Sequence, residues 1–207
     1  MNVKNVEASY DRLASYYDLA NIFYFLGYDK KYRAKLVKSL QLQPDSSVLE
    51  LCCGTGINFP YLLKVIKNEG TIVGTDVSLK MLQKAKKKID HSAVTLVRAD
   101  INNLPFRNNT FDAILTTFCL KINPLMEESL RESARVLKPN SGFGILSNHQ
   151  PHTRFHTVLT KLIGSMFKIK YDTNIDKYLK PNFKIVKKEE TYGNLVQLTI
   201  GIKKSNK

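Results

Sequence analysis

No run of about 18 consecutive apolar residues occurs in this 207-residue chain, so a membrane-spanning helix is not expected. The first residues lack a charged stretch followed by an apolar one, which argues against secretion by a standard signal. Cysteine is scarce, at three residues, and two of them are adjacent, Cys52 and Cys53, with Cys119 the third. That odd, clustered set argues against a disulfide framework. All three fall at predicted strand ends and read as small buried residues in a reducing compartment, the cytosol being the default. The chain is long enough for one α/β domain with a substantial core and too short for two. It contains no internal repeat and no long linker.

The most informative absence lies in Val48-Leu-Glu-Leu-Cys-Cys-Gly-Thr-Gly56, a buried strand running into a glycine-rich turn. A dinucleotide fingerprint needs a third glycine three residues on, and Phe59 stands there. What the turn does have is a downstream carboxylate, Asp76, which ends the next strand 20 residues past Gly56 and can accept hydrogen bonds from a ribose diol. Glu50, four residues before Gly54, adds a second carboxylate to the strand. An acidic group there suits a ligand with a positive end better than a pyrophosphate. S-adenosylmethionine, with its sulfonium and ammonium, meets that requirement.

Periodicity divides the rest. Helices are expected over residues 4–26, 28–41, 59–67, 79–89, 124–137 and 153–168. Strands are expected over 48–51, 71–75, 94–98, 111–117, 143–147, 183–190 and 194–203, with Tyr192-Gly193 turning between the last two. Strands alternating with helices of about 10–15 residues imply a Rossmann-like α/β fold, a mostly parallel sheet covered on both faces. The closing β-turn-β unit adds an antiparallel last strand. The single domain divides into an N-terminal helical lid (1–45), a cofactor-binding core (46–150) and a basic C-terminal part (151–207).

Residues 8–150 resemble the class I S-adenosylmethionine-dependent methyltransferases, collinearly. Glu50–Gly56 resembles their first motif, Thr71–Ser78 the acidic loop, Val97–Phe106 the adenine-contacting segment, Phe111–Phe118 the fourth strand, and Arg135–Gly142 the junction into strand five. The resemblance implies that Glu50 orients the glycine turn and serves the methionine ammonium. It implies backbone contact at Cys52, Gly54, Thr55 and Gly56, ribose contact at Asp76 with Val77 beside it, and adenine contact at Asp100 and Ile101. Thr116, Thr117 and Phe118 would flank the methionine portion. Many members have glycine where this chain has Cys52.

Two regions bear on the methyl acceptor. Tyr10-Asp-Arg-Leu-Ala-Ser-Tyr-Tyr17-Asp resembles the start of the ubiquinone/menaquinone C-methyltransferases and of the neighbouring bacterial phospholipid N-methyltransferases. Tyr10 and Tyr17, seven residues apart, are expected on one helix face closing over the sulfonium, or packing the lid onto the sheet. Tyr10, Tyr16 and Tyr17 could hold a methylated cation by cation–π attraction. The end of strand five, Ser147-Asn148-His149, departs from the glutamate usual in quinone enzymes and looks more like the phospholipid enzymes. His149 and Tyr17 are the candidate catalytic residues. His149, His152 and His156 have no cysteine or carboxylate near them before Asp172, so no metal site is expected.

Charge sharpens the choice of partner. The net +14 is uneven: residues 150–207 carry twelve basic and four acidic groups. Thr160–Lys170 mixes apolar side chains with lysine, and Ile22–Leu26 followed by Lys30, Lys31, Tyr32 and Arg33 has a similar character. Both suit an anionic membrane surface, as Arg154 suits a phosphate. The expected function is therefore methyl transfer to a phospholipid amine such as phosphatidylethanolamine, by a cytosolic protein peripheral to the membrane. The alternatives are a quinone-ring C-methyltransferase or a soluble small-molecule enzyme. Nucleic acid is not expected, since no RNA-binding module or N-P-P-Y-type motif occurs, and intact Glu50, Gly54, Gly56, Asp76 and Asp100 argue against a non-catalytic binding protein.

Overall fold

A computed structural model describes residues 3–25, 27, 29–67, 69–89, 92–148, 174–191 and 196–205. The expected helix over 153–168, the histidine cluster, Arg154, Asp172 and the Tyr192-Gly193 turn lie outside them. The N-terminal part forms α1 (Val3–Leu13), α2 (Tyr17–Phe25) and α3 (Asp29–Ser39). β1 (Ser47–Leu51), α4 (Phe59–Leu62), β2 (Thr71–Asp76), α5 (Leu79–Lys88), β3 (Val94–Arg98) and β4 (Phe111–Thr117) follow. After a 3-10 turn at Leu120–Ile122 come α6 (Met126–Val136), β5 (Leu137–Asn148), α7 (Ile175–Leu179), β6 (Phe183–Thr191) and β7 (Val196–Lys203).

The seven strands form one sheet in the order β3-β2-β1-β4-β5-β7-β6. β1 pairs in parallel with β2 and β4, and β5 in parallel with β4, while β7 runs antiparallel between β5 and β6. The expected mostly parallel sheet with an antiparallel last strand is thus the observed one. Val48, Leu49 and Leu51 are fully buried because helices cover both faces, so β1 does not alternate apolar with exposed residues, and even Glu50 within it is buried. One core layer gathers Leu36, Phe59, Leu62 and Leu82 under α3, α4 and α5; the other gathers Leu130, Leu179 and Phe183 under α6 and α7.

Two helix expectations and one strand expectation are corrected. The continuous helix over 4–26 is broken at Ala14–Tyr16, where the backbone turns between α1 and α2. The helix over 59–67 stops at Leu62 and unwinds through turns, and the Lys67 N–H ends up bonded to the Pro44 carbonyl ahead of β1. β5 begins at Leu137, well before the expected residue 143, because Phe111 pairs with Leu137 directly after α6. The register then jumps to Ala113–Gly142, so Lys138–Ser141 bulges out and Pro139 needs no ladder partner.

The cysteine expectation is corrected as well. β1 and β4 are sheet neighbours with Leu51 opposite Thr116, so residues just beyond that register converge. Cys52 and Cys119 meet there and are disulfide-bonded, their Cα atoms 6.3 Å apart. Only Cys53 is free, and it is buried. Sequence separation hid this pairing, since 67 residues divide the two.

Candidate functional site

Strand order reverses between β1 and β4, and the crevice expected at such a switch point is present beyond their carboxyl ends. It is a partly open cleft. Its floor is Cys52, Gly54 and Cys119; Asp76, Val77 and Met81 form one wall; Asp100, Ile101 and Asn102 close the far end. Thr117 and Phe118 form the opposite wall, and Tyr10 and Tyr17 cover it.

The glycine turn is shaped by left-handed backbone at Cys52 (φ 51°), Gly54 (φ 55°) and Gly56 (φ 78°). A Cβ at Gly54 would lie 3.7 Å from the Tyr17 ring, so the tyrosine sits on the turn. Gly56 serves packing, since a Cβ there would stand 2.7 Å from the Phe59 ring. It faces a second groove behind the turn. Thr55 is buried and donates its hydroxyl to Asp18. Neither Thr55 nor Gly56 lines the cleft.

Asp76 bridges the turn to the next helix. One oxygen accepts the Gly54 N–H at 2.9 Å and the other the Ser78 N–H at 2.9 Å. Burial nevertheless pushes its pKa up, against those bonds. Ser78 then caps α5 by accepting the Met81 N–H. Asp100 accepts from the Asn102 N–H at 2.9 Å and from its side-chain amide at 2.7 Å, which fixes the turn at the cleft's end.

Glu50 stands behind the turn, 1 % exposed. Its Oε1 accepts from Asn58 Nδ2 at 2.6 Å, and Oε2 is buried with no hydrogen-bond partner. Burial drives its pKa up to about 8, with the Asn58 bond and the Arg33 charge opposing. Arg33, fully buried in α3, donates to Asp29 at 3.0 Å, Asn58 Oδ1 at 2.8 Å and Thr117 Oγ1 at 2.9 Å. It also lies 5.3 Å from the Phe118 ring centre. Sequence reasoning placed Tyr32 and Arg33 at a membrane surface; both are buried, because this face of α3 packs on the site. The available signal was the Asp29/Arg33 spacing of four on a helix, together with Asn58 eight residues after Glu50.

Tyr10 and Tyr17 come together with ring centres 6.2 Å apart, though not from one helix face. The break at residues 14–16 puts them on α1 and α2. Each is followed by an aspartate that pins its helix: Asp11 accepts from Ser78, and Asp18 pairs with Lys88 as well as Thr55. Burial raises the Tyr17 pKa, so its phenol stays neutral. Tyr16 points away and is exposed. His149 lies outside the described residues.

The chemistry of this donor set fits an elongated ligand with a positive end. An orphaned carboxylate oxygen lies behind the turn, a carboxylate stands at the end of β2, and another closes the far end, with apolar walls between. A Rossmann-like sheet carrying this cleft at its switch point defines a class I methyltransferase fold. A solved S-adenosylmethionine-dependent methyltransferase from Aquifex aeolicus superposes with a TM-score of 0.65 over 82% of this chain and 88% of its own, at 20% identity.

The chain belongs to the ubiE/COQ5 methyltransferase family, whose match spans residues 1–199. It is 35% identical to the demethylmenaquinone methyltransferase of Lactobacillus johnsonii over 152 residues, 72% of this chain and 62% of that protein. It is 31% identical to the 2-phytyl-1,4-naphtoquinone methyltransferase of Trichormus variabilis over 153 residues, 72% of this chain and 67% of the relative. The first of these relatives is therefore matched over less than two thirds of its length.

Proposed function

We propose that the protein transfers a methyl group from S-adenosylmethionine to a ring carbon of a lipid-soluble hydroquinone. The observation that carries this reading is the cleft: Asp76 and Asp100 set along one apolar crevice under two tyrosines, with an orphaned buried Glu50 oxygen behind the glycine turn. The names of the relatives favour the quinone ring over the phospholipid amine expected from the end of strand five.

When bound, the cofactor supplies an activated methyl group, so the protein's work is to bind, orient and exclude water. Glu50 would accept from the ammonium end, Asp76 from the ribose and Asp100 from the base. Tyr10 and Tyr17 close the cleft, and alignment alone is worth ~7–11 kcal/mol. A phenolic hydroxyl on the acceptor titrates near ~10, so ionising it at pH 7 to activate the neighbouring carbon costs about 4 kcal/mol. Neutral Tyr17 can donate a hydrogen bond but cannot serve as base at that pH.

A lipid acceptor has to be drawn from a membrane. No helix among the described residues is long and apolar enough to cross one. Tyr16, Leu19 and Ile22 are exposed at 69%, 55% and 51% on the lid, with Lys84 and Lys88 of α5 beside them. We read this face as the one that touches anionic lipid. Co-sedimentation should show more protein pelleting with anionic than with neutral vesicles, and equal pelleting removes the electrostatic part of this reading.

The test of function is mass-spectrometric detection of one added methyl group on a reduced prenylated naphthoquinone, with phosphatidylethanolamine as parallel acceptor. Methylation of the phospholipid alone refutes the reading. Asp76→Ala should weaken cofactor binding about 10- to 100-fold by calorimetry, the loss expected for hydrogen bonds to a charged group. Unchanged binding would remove Asp76 from the cofactor site.

A further inference from the structure

Cys52 and Cys119 occupy the floor of the cleft, one on each of the two segments that must grip a ligand. Cys52 opens the turn that leads to Gly54, and its own backbone is left-handed. Cys119 follows Phe118, also left-handed (φ 58°), where β4 gives way to the 3-10 turn. A bond between them therefore ties the turn after β1 to the exit of β4. Their Cα separation of 6.3 Å lies within the range a disulfide can span, so the backbone need not move to close it. Both residues are only half-buried and line open space, whereas Cys53, one residue away, is 5 % exposed, unbonded and held protonated by burial. The geometry thus singles out one pair.

We propose that Cys52 and Cys119 form a reversible thiol–disulfide switch that sets how well the cleft accepts its nucleoside cofactor. The proposal rests on reading the cleft as the S-adenosylmethionine site. With the bond closed, the two walls are tied and a fixed sulfur pair fills the floor beside Gly54 and Thr117. With it open, the sulfurs separate to van der Waals distance, and the turn and the β4 exit adjust independently around the ligand. The dithiol is the binding form.

The chemistry needs a low-molecular-weight disulfide as oxidant. A thiolate from one of the pair attacks a sulfur of that disulfide, forming a mixed disulfide and expelling one small thiolate, which takes up a proton. The second protein thiolate attacks the protein sulfur of the mixed disulfide and expels the other small thiol. Two protons and two electrons pass from the protein to the small disulfide, which leaves as two thiols. Two small thiols, or one dithiol, reverse the sequence.

The test is calorimetric binding of S-adenosylmethionine to the whole protein equilibrated with a dithiol or with a small disulfide. The expected result is at least roughly tenfold tighter binding to the reduced protein, with the difference abolished in Cys119→Ser and retained in Cys53→Ala. A second readout needs no variant. Binding and reduction are reciprocal, so saturating S-adenosylmethionine should make the midpoint potential of the pair less negative, by about 30 mV for a tenfold preference. Differential alkylation with mass mapping follows which thiols titrate. Equal affinities in the two states, a redox difference that survives Cys119→Ser, or an oxidised protein in which Cys52 and Cys119 are unpaired each overturns the proposal. If neither form binds, the cofactor reading itself fails; if both bind equally, only the switch does.

Discussion

Glu50 is a carboxyl kept from ionising by its surroundings, and its titration makes a measurable signature. Its ordinary pKa is 4.5, and burial raises it to about 8 in the fold. Between those values the folded state holds a proton that the unfolded chain has lost. Its contribution is therefore fully present below pH ~4.5 and is lost as pH rises through about 8, on the order of a few kcal/mol. Glu50→Gln should flatten the fall of unfolding free energy over that window, measured by urea denaturation at several pH values. A slope equal to that of the wild type would show that another group titrates. The same residue predicts proton release on binding at pH 7. A ligand ammonium near Oε2 favours the ionised carboxylate and drives the proton off. Calorimetry in buffers of different ionisation enthalpy should register that release in wild type, and none in Glu50→Gln.

At the scale of elements, α3 acts through one buried arginine. Arg33 ties Asp29 of its own helix to Asn58 behind the turn and Thr117 at the end of β4. Arg33→Ala leaves Asp29 buried without its charge partner, so a loss of about 3–5 kcal/mol is expected by denaturation. Asp29→Asn combined with Arg33→Ala should lose less than the single change. A different junction limits how α4 lies on the sheet. A Cβ on Gly74 of β2 would stand 2.6 Å from the Phe59 ring and 3.0 Å from Cys53. Gly74→Ala should lower the melting temperature, by an amount corresponding to about 1–3 kcal/mol of overpacking.

The elements were largely legible in the sequence: β3 and β4 fall at the expected residues 94–98 and 111–117, and α5 is bounded by the serine cap and its lysine-rich end. What stayed hidden was contact between distant segments. Nothing in local spacing relates Arg33 to Thr117 or Cys52 to Cys119, since the packing of α3 on the sheet brings the first pair together and the β1–β4 pairing the second. The lid break at Ala14–Tyr16 was hidden for another reason. The residues there are ordinary in a helix, and the bend follows from Asp11 and Asp18 anchoring α1 and α2 at different places. In the candidate site, the glycine turn and its carboxylates were visible as a motif. Thr55 and Gly56 belong to that motif yet do not line the cleft; Thr55 bonds Asp18 and Gly56 packs against Phe59.

Over the whole molecule, the sheet is completed by β7. β7 lies between β5 and β6, with β5 paired along Gly142–Asn148 and β6 along Phe183–Thr191. Val196, Leu198 and Ile200 send their side chains into the same core as Leu36 and Phe59. That placement carries a consequence for synthesis. While the chain is being made, residues 1–195 can form most of the parallel sheet, but β5 keeps an unpaired edge until the strand at 196–203 emerges. A bare strand edge invites pairing with another chain. The nascent protein therefore stays exposed to aggregation until residues 196–203 have emerged, and a ribosome that stalls near residue 195 would leave behind a product with that edge open.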